Sequence, residues 1–306
     1  MATFREYLAD LKDESQPLKA MRLVHLSHLA GEQEKAFLGV WPQIRVRRRR
    51  QVVRRLVELA DDNVELNFDA VFLACLSDAD AEVRAVAVRG LWEYEQHDLI
   101  DPLIRLLQSD DNVTVRAEAA LSLGHFVLQW ELGSLPERYF RRVEEALQRA
   151  IDGADQDLEV QGRALEAIGA CNQPWVREAI DRAYRSKTQR LRVSGIHAMG
   201  RSCDPSWLPT LLQELESDDP EMRYEAALAC GSMADEAAVP RLAPLLEDED
   251  AEVKEITIAA LGEIGGPEAR SVLQRYLNHP SSSMRGAVEE ALSMVDMAED
   301  PLRFGF

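Results

Sequence analysis

A repeat of 31 residues constrains this chain more than any other property. Segments of the form V-R-x-x-A-x-x-A-L-G recur with first residues Val83, Val115, Val160, Leu191, Met222, Val253 and Met284, at intervals of 32, 45, 31, 31, 31 and 31. Apolar residues clustering by chance do not hold register over four consecutive intervals. Self-similarity at this period marks a two-helix unit stacked on copies of itself, because one such unit cannot bury its own apolar face.

The residues in register say how each unit is built. Three positions before the anchors stand Asp80, Asn112, Asp157, Thr188, Asp219, Asp250 and Ser281, all side chains that accept a hydrogen bond from a free N–H at a helix start. One position after the anchors come Arg84, Arg116, Arg192, Arg223, Lys254 and Arg285, with Gln161 the exception, placed to bridge back to the cap or to the neighbouring repeat. Nine positions after lie Gly124, Gly169, Gly200, Gly231 and Gly262, where the missing side chain lets a helix approach or the backbone turn. Pro174, Pro205 and Pro267 suit the first turn of the other helix, and Asp204 and Asp235 suit its cap.

First helices are predicted near 64–76, 98–108, 136–152, 174–185, 205–216, 236–246 and 267–277, and second helices near 81–94, 113–131, 158–171, 189–202, 220–233, 251–264 and 282–296. Upstream, 17–30, 33–43 and 45–60 read as divergent capping helices. The apolar content is 46% with only 6% aromatic, mostly Ala, Leu and Val, which form helix readily. The expected fold is an all-α, right-handed α-solenoid of about 8–9 antiparallel helix pairs. It comprises a cap at 1–60, a repeat array at 61–297 with an insertion near 126–140, and a tail at 298–306.

The stretch from Asp219 to Leu277, DPEMRYEAALACGSMADEAAVPRLAPLLEDEDAEVKEITIAALGEIGGPEARSVLQRYL, resembles HEAT repeats of the short, phycobilisome-lyase-like class. The likeness covers roughly residues 60–297. It implies the fold, and leaves function among scaffolds, adaptors, lyase subunits and some enzymes. Tetratricopeptide and ankyrin arrays have similar periods, but their signatures are absent.

Functional information then sits where the repeat breaks. RVRRRRQVVRR, residues 45–55, has seven arginines in eleven positions. Residues 1–60 carry a net +5 and the remaining 246 a net −24, which together make the chain −19. If Val46, Val53, Leu56 and Ala60 form the buried stripe, Arg47, Arg48, Arg50, Arg54 and Arg55 surround the polar side as a partner-binding basic patch. The alternative is that this face pairs with the acidic body of the same molecule or of a second copy, so self-association is a further expectation. The 45-residue interval holds HFVLQWELGSLPERYF, whose Trp130, Tyr139 and Phe140 either extend a binding surface or plug the gap between repeats. LWEYEQHDLID, residues 91–101, puts Trp92 at the glycine register and gathers one histidine with several carboxylates; a solvated or capping histidine is the expected role, and no metal site is assigned. Phe304 and Phe306 in the tail suit a cover over the last repeat or a short motif read by another protein.

Catalysis finds little support. None of the six histidines is followed by glutamate, unlike the repeated His–Glu ligands of deoxyhypusine-type HEAT hydroxylases, and phosphate loops, GxSxG elbows and HExxH helices are absent. Cys75, Cys171, Cys203 and Cys230 have no metal-ligand spacing and read as reduced thiols. No cofactor is expected, and without a stretch of 18 apolar residues the chain is expected to be cytoplasmic. The net charge disfavours nucleic acid.

The reading is a non-enzymatic scaffold or adaptor that takes a protein or peptide along a concave ridge of second helices. Its candidate residues are Glu118, His125, Arg163, His197, Arg201, Tyr224, Glu225 and Glu263. Two alternatives stay open. The likeness to bilin lyase subunits implies a lyase-like subunit or chromophore carrier, with Arg163, His197, Arg201 and Tyr224 on the inner face. The other is nucleic-acid binding through residues 45–55.

Overall fold

The structure is a computed structural model that describes residues 4–153 and 156–299. Among these residues there are helices and no strands. The chain divides into two compact units, residues 1–164 and 165–306.

The first unit opens with α1 (Phe4–Lys12), a 3-10 turn at Ala20–Leu26, α2 (Gly31–Val40) and α3 (Val46–Asp62). It continues with α4 (Asp69–Cys75), α5 (Ala81–Gly90), α6 (Ile100–Ser109), α7 (Val113–Glu131) and α8 (Glu137–Asp152), and α9 (Leu158–Ile168) crosses its end. Helices α4 and α5 pair, as do α6 and α7, while α3, α5 and α7 pack side by side as successive second helices. The second unit contains α10 (Pro174–Tyr184), α11 (Gln189–Ser202), α12 (Leu208–Glu214), α13 (Pro220–Met233), α14 (Val239–Leu242), α15 (Ala251–Ile264), α16 (Gly266–Gln274) and α17 (Ser282–Glu299). They form four hairpins, with α11, α13, α15 and α17 stacked in order.

The repeat registers acquire definite jobs. Anchors Val83, Val115, Val160, Met222 and Val253 are buried, each contributing roughly 1.5–3 kcal/mol of apolar burial. Asp80, Asn112, Asp157, Asp219, Asp250 and Ser281 cap their helices through the side chain. Thr188 stands at its cap in extended conformation and makes no side-chain capping bond. Asp204 and Asp235 cap the turns that start the first helices of their hairpins.

The glycines mark where neighbouring second helices touch. A Cβ on Gly200 would lie 2.6 Å from Ala229 Cα, and one on Gly169 or Gly262 would stand 3.0 Å from Ala198 or Ala291. Each glycine therefore faces the alanine seven residues after the next anchor, and backbone packs on backbone. The cations after the anchors tie loops together. Arg84 forks onto Asp110 of the following loop at 2.7 Å through two nitrogens and donates to the Asp78 carbonyl of its own loop. Arg223 repeats this with Asp248 and the Ser217 carbonyl.

The upstream expectations need correction. Residues 17–30 form only the short 3-10 turn, after which His28 takes φ +53° and its N–H donates to the Asn67 carbonyl. Helix α1, absent from the sequence-based spans, buries Tyr7, Leu8 and Leu11. Helix α4 starts five residues later than expected because Asn63 and Asn67 side chains accept the N–H groups of Glu65 and Asp69, holding the chain in turns.

Candidate functional site

In the second unit, the stacked second helices carry a polar row, partly buried between neighbouring repeats, and much of that row is bonded to itself. The residue six after one anchor meets the residue three after the next. His197 Nδ1 lies 3.1 Å from Glu225 Oε2, and Ser194 Oγ donates to buried Glu166 at 2.6 Å. Arg190 reaches that same Glu166 oxygen at 2.9 Å. In the first unit the same register joins Arg89 to Glu118 at 2.9 Å. These bridges cross between repeats, so several ridge candidates hold the stack together. Arg163 pairs with Glu159 one turn away. Arg201 is largely buried, which lowers its pKa, and its Nε has no hydrogen-bond partner. Glu263 extends over Gly231, and burial raises its pKa; burial beside Glu225 and Glu252 raises that of Tyr224 as well.

The basic patch is redistributed more severely. Arg48 is 5% exposed and belongs to the buried stripe of α3 with Val52, Val53 and Leu56, whereas Val46 is exposed. The expected division of that helix is therefore wrong at two positions. Arg48 takes the place of an apolar anchor, and Arg49 takes that of the cation beside it, 3.0 Å from buried Asp78. Arg50 forks onto Asp80 at 2.6 and 2.8 Å and reaches Glu82 at 3.1 Å; Arg54 also pairs with Glu82, and Arg55 with Glu58. Only Arg47 of the proposed set is exposed without an ion pair among the described residues. The acidic body that the patch was expected to meet is, in good part, the next loop of its own unit.

At the insertion, Trp130 stacks on buried Phe140 with ring centroids 4.5 Å apart, and Tyr139 lies against His97 at 4.8 Å. Tyr94 donates to Asp98, and no group of three or more metal-ligating side chains occurs among the described residues. Cys75, Cys171 and Cys230 are buried thiols, and Cys203 is exposed. No described helix is long and apolar enough to cross a membrane. Phe304 and Phe306 lie outside the described residues.

A feature missed in the sequence is an apolar stripe along α7 and its C-cap. Leu121 and Leu128 on the helix and Leu132 at its C-cap are 40%, 42% and 74% exposed, and their spacing of seven and four residues places them within a narrow arc. Glu118 and His125 share the stripe, and Gln129 bonds His125 at 3.0 Å. Helix periodicity counts leucines as core without distinguishing a second apolar face, so the polar Glu118 and His125 stand out on this face and the leucines beside them do not.

Comparison with known proteins agrees with this architecture. A family model described as HEAT repeats matches residues 70–152 and 208–293. A protein of Pseudanabaena tenuis named "Uncharacterized phycocyanin operon protein Z" is 26% identical over 163 residues, covering 53% of this chain and 77% of that one. Among solved structures, the complex of CpcE and CpcF of phycocyanin lyase from Nostoc sp. PCC7120 gives a TM-score of 0.53 at 16% identity, covering 92% of this chain and 97% of that one, a likeness of fold. With its capped helix hairpins, its glycine-on-alanine stacking and a family match over more than half its length, this chain belongs to the HEAT-repeat family.

Proposed function

We propose that the chain is a protein-binding adaptor whose contact face in the first unit is the solvent side of α7. The observation that carries this reading is the stripe Leu121, Leu128 and Leu132. Large apolar side chains aligned on an exposed helix are hydrated unfavourably, so a partner that covers them gains free energy, and such patches are characteristic of interaction sites. Polar neighbours Glu118, His125 and Gln129 supply a rim. Nucleic acid gains nothing from this arrangement, because the arginines that would meet phosphates are occupied by Asp78, Asp80, Glu82 and Glu58. Arg47 remains on the exposed side of α3 as a cation for steering.

The test uses the intact chain as bait beside a Leu121→Glu, Leu128→Glu, Leu132→Glu triple variant. The expected result is a partner recovered by the parent and lost by the variant, with thermal unfolding of the two nearly coincident because the exchanged side chains are solvent-exposed. Equal recovery by both would overturn the reading.

A second reading is favoured by the names of the relatives, both of which concern phycocyanin. In it the partner is a phycobiliprotein or its chromophore, with Tyr224 and His197 among the ridge residues that meet it. Mixing with a free bilin followed by gel filtration checks it: co-eluting visible absorbance supports a chromophore carrier, and a colourless protein peak removes that role.

A further inference from the structure

We infer that the N-terminal helices hold a binding site for a carboxylate, centred on Arg48. The position occupied by this arginine belongs to Val, Leu or Met in all seven later repeats. Here a permanently charged guanidinium is 5% exposed, and it makes no ion pair among the described residues. One nitrogen, Nη2, donates to the carbonyls of Gln16 and Asp13 at 2.6 and 3.1 Å, and buried Nε has no hydrogen-bond partner. Carbonyl dipoles compensate a buried cation incompletely. The Asp13 carboxylate acts on it without forming an ion pair, so an anion in direct contact is what such a group lacks.

The surroundings can receive one. Arg48 lines two cavities, of about 170 and 480 Å³, which share Gln16, Pro17 and Leu18 as a common wall. The smaller is also lined by Tyr7, Asp10, Asp13, Lys19 and Arg22. Tyr7 is 4% exposed, and its phenol oxygen is a second buried polar atom without a partner. The Arg22 guanidinium sits 5.5 Å from the Tyr7 ring and pairs with Asp10 at 2.6 Å. Two independent orphaned donors thus border one cavity, where buried polar groups are ordinarily satisfied.

The charge of the lining selects the ligand. Three cations, Lys19, Arg22 and Arg48, face two carboxylates, Asp10 and Asp13, which leaves one net positive charge. A monoanionic carboxylate balances it, and its oxygens accept from both a guanidinium and a phenol. A phosphate dianion overshoots and meets Asp10 and Asp13. A nucleic-acid phosphodiester has the right local charge but brings a polyanion towards a chain of net charge −19. The carboxylate has two sources, a free small acid or the acidic side chain of a peptide.

Calorimetric titration and thermal shift of the full chain with glutarate, and separately with a short glutamate-rich peptide, test the site. Binding of glutarate identifies a small-acid site, and binding of the peptide at least tenfold tighter identifies a docking pocket for an acidic segment. Arg48→Met restores the apolar anchor of the other repeats, so it should fold with an unchanged or higher melting temperature while losing at least tenfold in affinity. Tyr7→Phe should lose severalfold without loss of stability. The proposal fails if neither ligand binds the parent chain, if both variants bind as the parent does, or if phosphate or an oligonucleotide binds as well as the carboxylates. It fails equally if Arg48→Met lowers the melting temperature while ligand affinity persists, since Arg48 would then act only as a clamp on the Gln16 and Asp13 carbonyls.

Discussion

Helices α3 and α13 are the same structural part built in two ways. Each is the second helix of a hairpin or its equivalent, and each places an anchor and then an arginine in its first turn. In α13 the cap is Asp219, which accepts from the Glu221 N–H at 3.0 Å, the anchor is buried Met222, and the cation Arg223 forks onto Asp248. In α3 the cap is Arg45, which makes no side-chain capping bond, the anchor is buried Arg48, and the cation Arg49 faces Asp78. The link between repeats survives in both, while cap and anchor do not. The cation and its acidic acceptor in the next loop are therefore the structural constant, and Arg48 is the departure that asks for another explanation.

The sharpest way to break this comparison is to remove the shared part. Both side chains of the Arg223–Asp248 pair are largely buried. Arg223→Met leaves Asp248 without its fork, and the expected loss is about 3 kcal/mol, measured by urea unfolding. Hydrogen bonding from Arg223 holds the Asp248 pKa below the ordinary carboxylate value, against the opposing effect of burial. A depressed folded-state pKa means that its stabilisation is present above the unfolded value, near 3.9, and is lost as pH falls through the folded value. The urea midpoint should therefore drop below about pH 4, and Asp248→Asn should be less sensitive there than the parent. A variant whose midpoint follows pH as steeply as the parent's would show that Asp248 does not carry the effect.

The same comparison explains what could be read from the sequence. Four 31-residue intervals with apolar anchors made the second unit legible to within a residue at most helix starts, because periodic burial, caps and glycines all repeat together. Helix α3 escaped that pattern. Its anchor is charged, its cap is an arginine, and it stands 35 residues before Val83 instead of 31. What remained visible was charge alone, so RVRRRRQVVRR read either as a partner-binding patch or as a face paired with the acidic body, with no means of placing each arginine. Its arginines are in fact an anchor, a link to the next loop and several pairs with Asp80, Glu82 and Glu58. Residue type disclosed the charge, but apart from Glu58 on the same helix the partners Asp78, Asp80 and Glu82 lie roughly 30 residues on, in the loop before α5 and in its first turn, whose placement depends on the fold. The α7 leucines were missed for a related reason, since hydrophobicity does not say which face of a helix finds a neighbour.

A smaller effect tests the contact between second helices. Gly200→Ala puts a methyl group against the Ala229 backbone, where the chain itself must move. Overpacking should outweigh the gain in helix propensity, for a net loss of about 1–2 kcal/mol in urea unfolding. In the first unit Trp92 holds the glycine register yet is 60% exposed and lies past the end of α5. Trp92→Gly should therefore stay within about 0.5 kcal/mol of the parent. If the two changes cost the same, the close approach of second helices is not a stabilising property of the second unit.

The smallest expected effect is a gain. Thr188 and Asp219 hold the same register, with nearly the same backbone angles, φ −89° and ψ 117° against φ −88° and ψ 117°. Asp219 caps its helix and Thr188 does not, so the difference lies in the side chain. Thr188→Asp supplies a carboxylate at the start of α11, where the backbone is already extended. Its charge also favours the positive end of the helix and faces Arg192 one turn on. Stability should rise by about 0.5–1 kcal/mol, read as a rise of about 1–3 °C in melting temperature. The gain should shrink in acid as the new carboxylate protonates. A variant with no gain near neutral pH would mean that the Thr188 N–H bond to Ser186 Oγ at 3.1 Å already fixes this turn, and that cap identity at this register matters less than the turn leading into it.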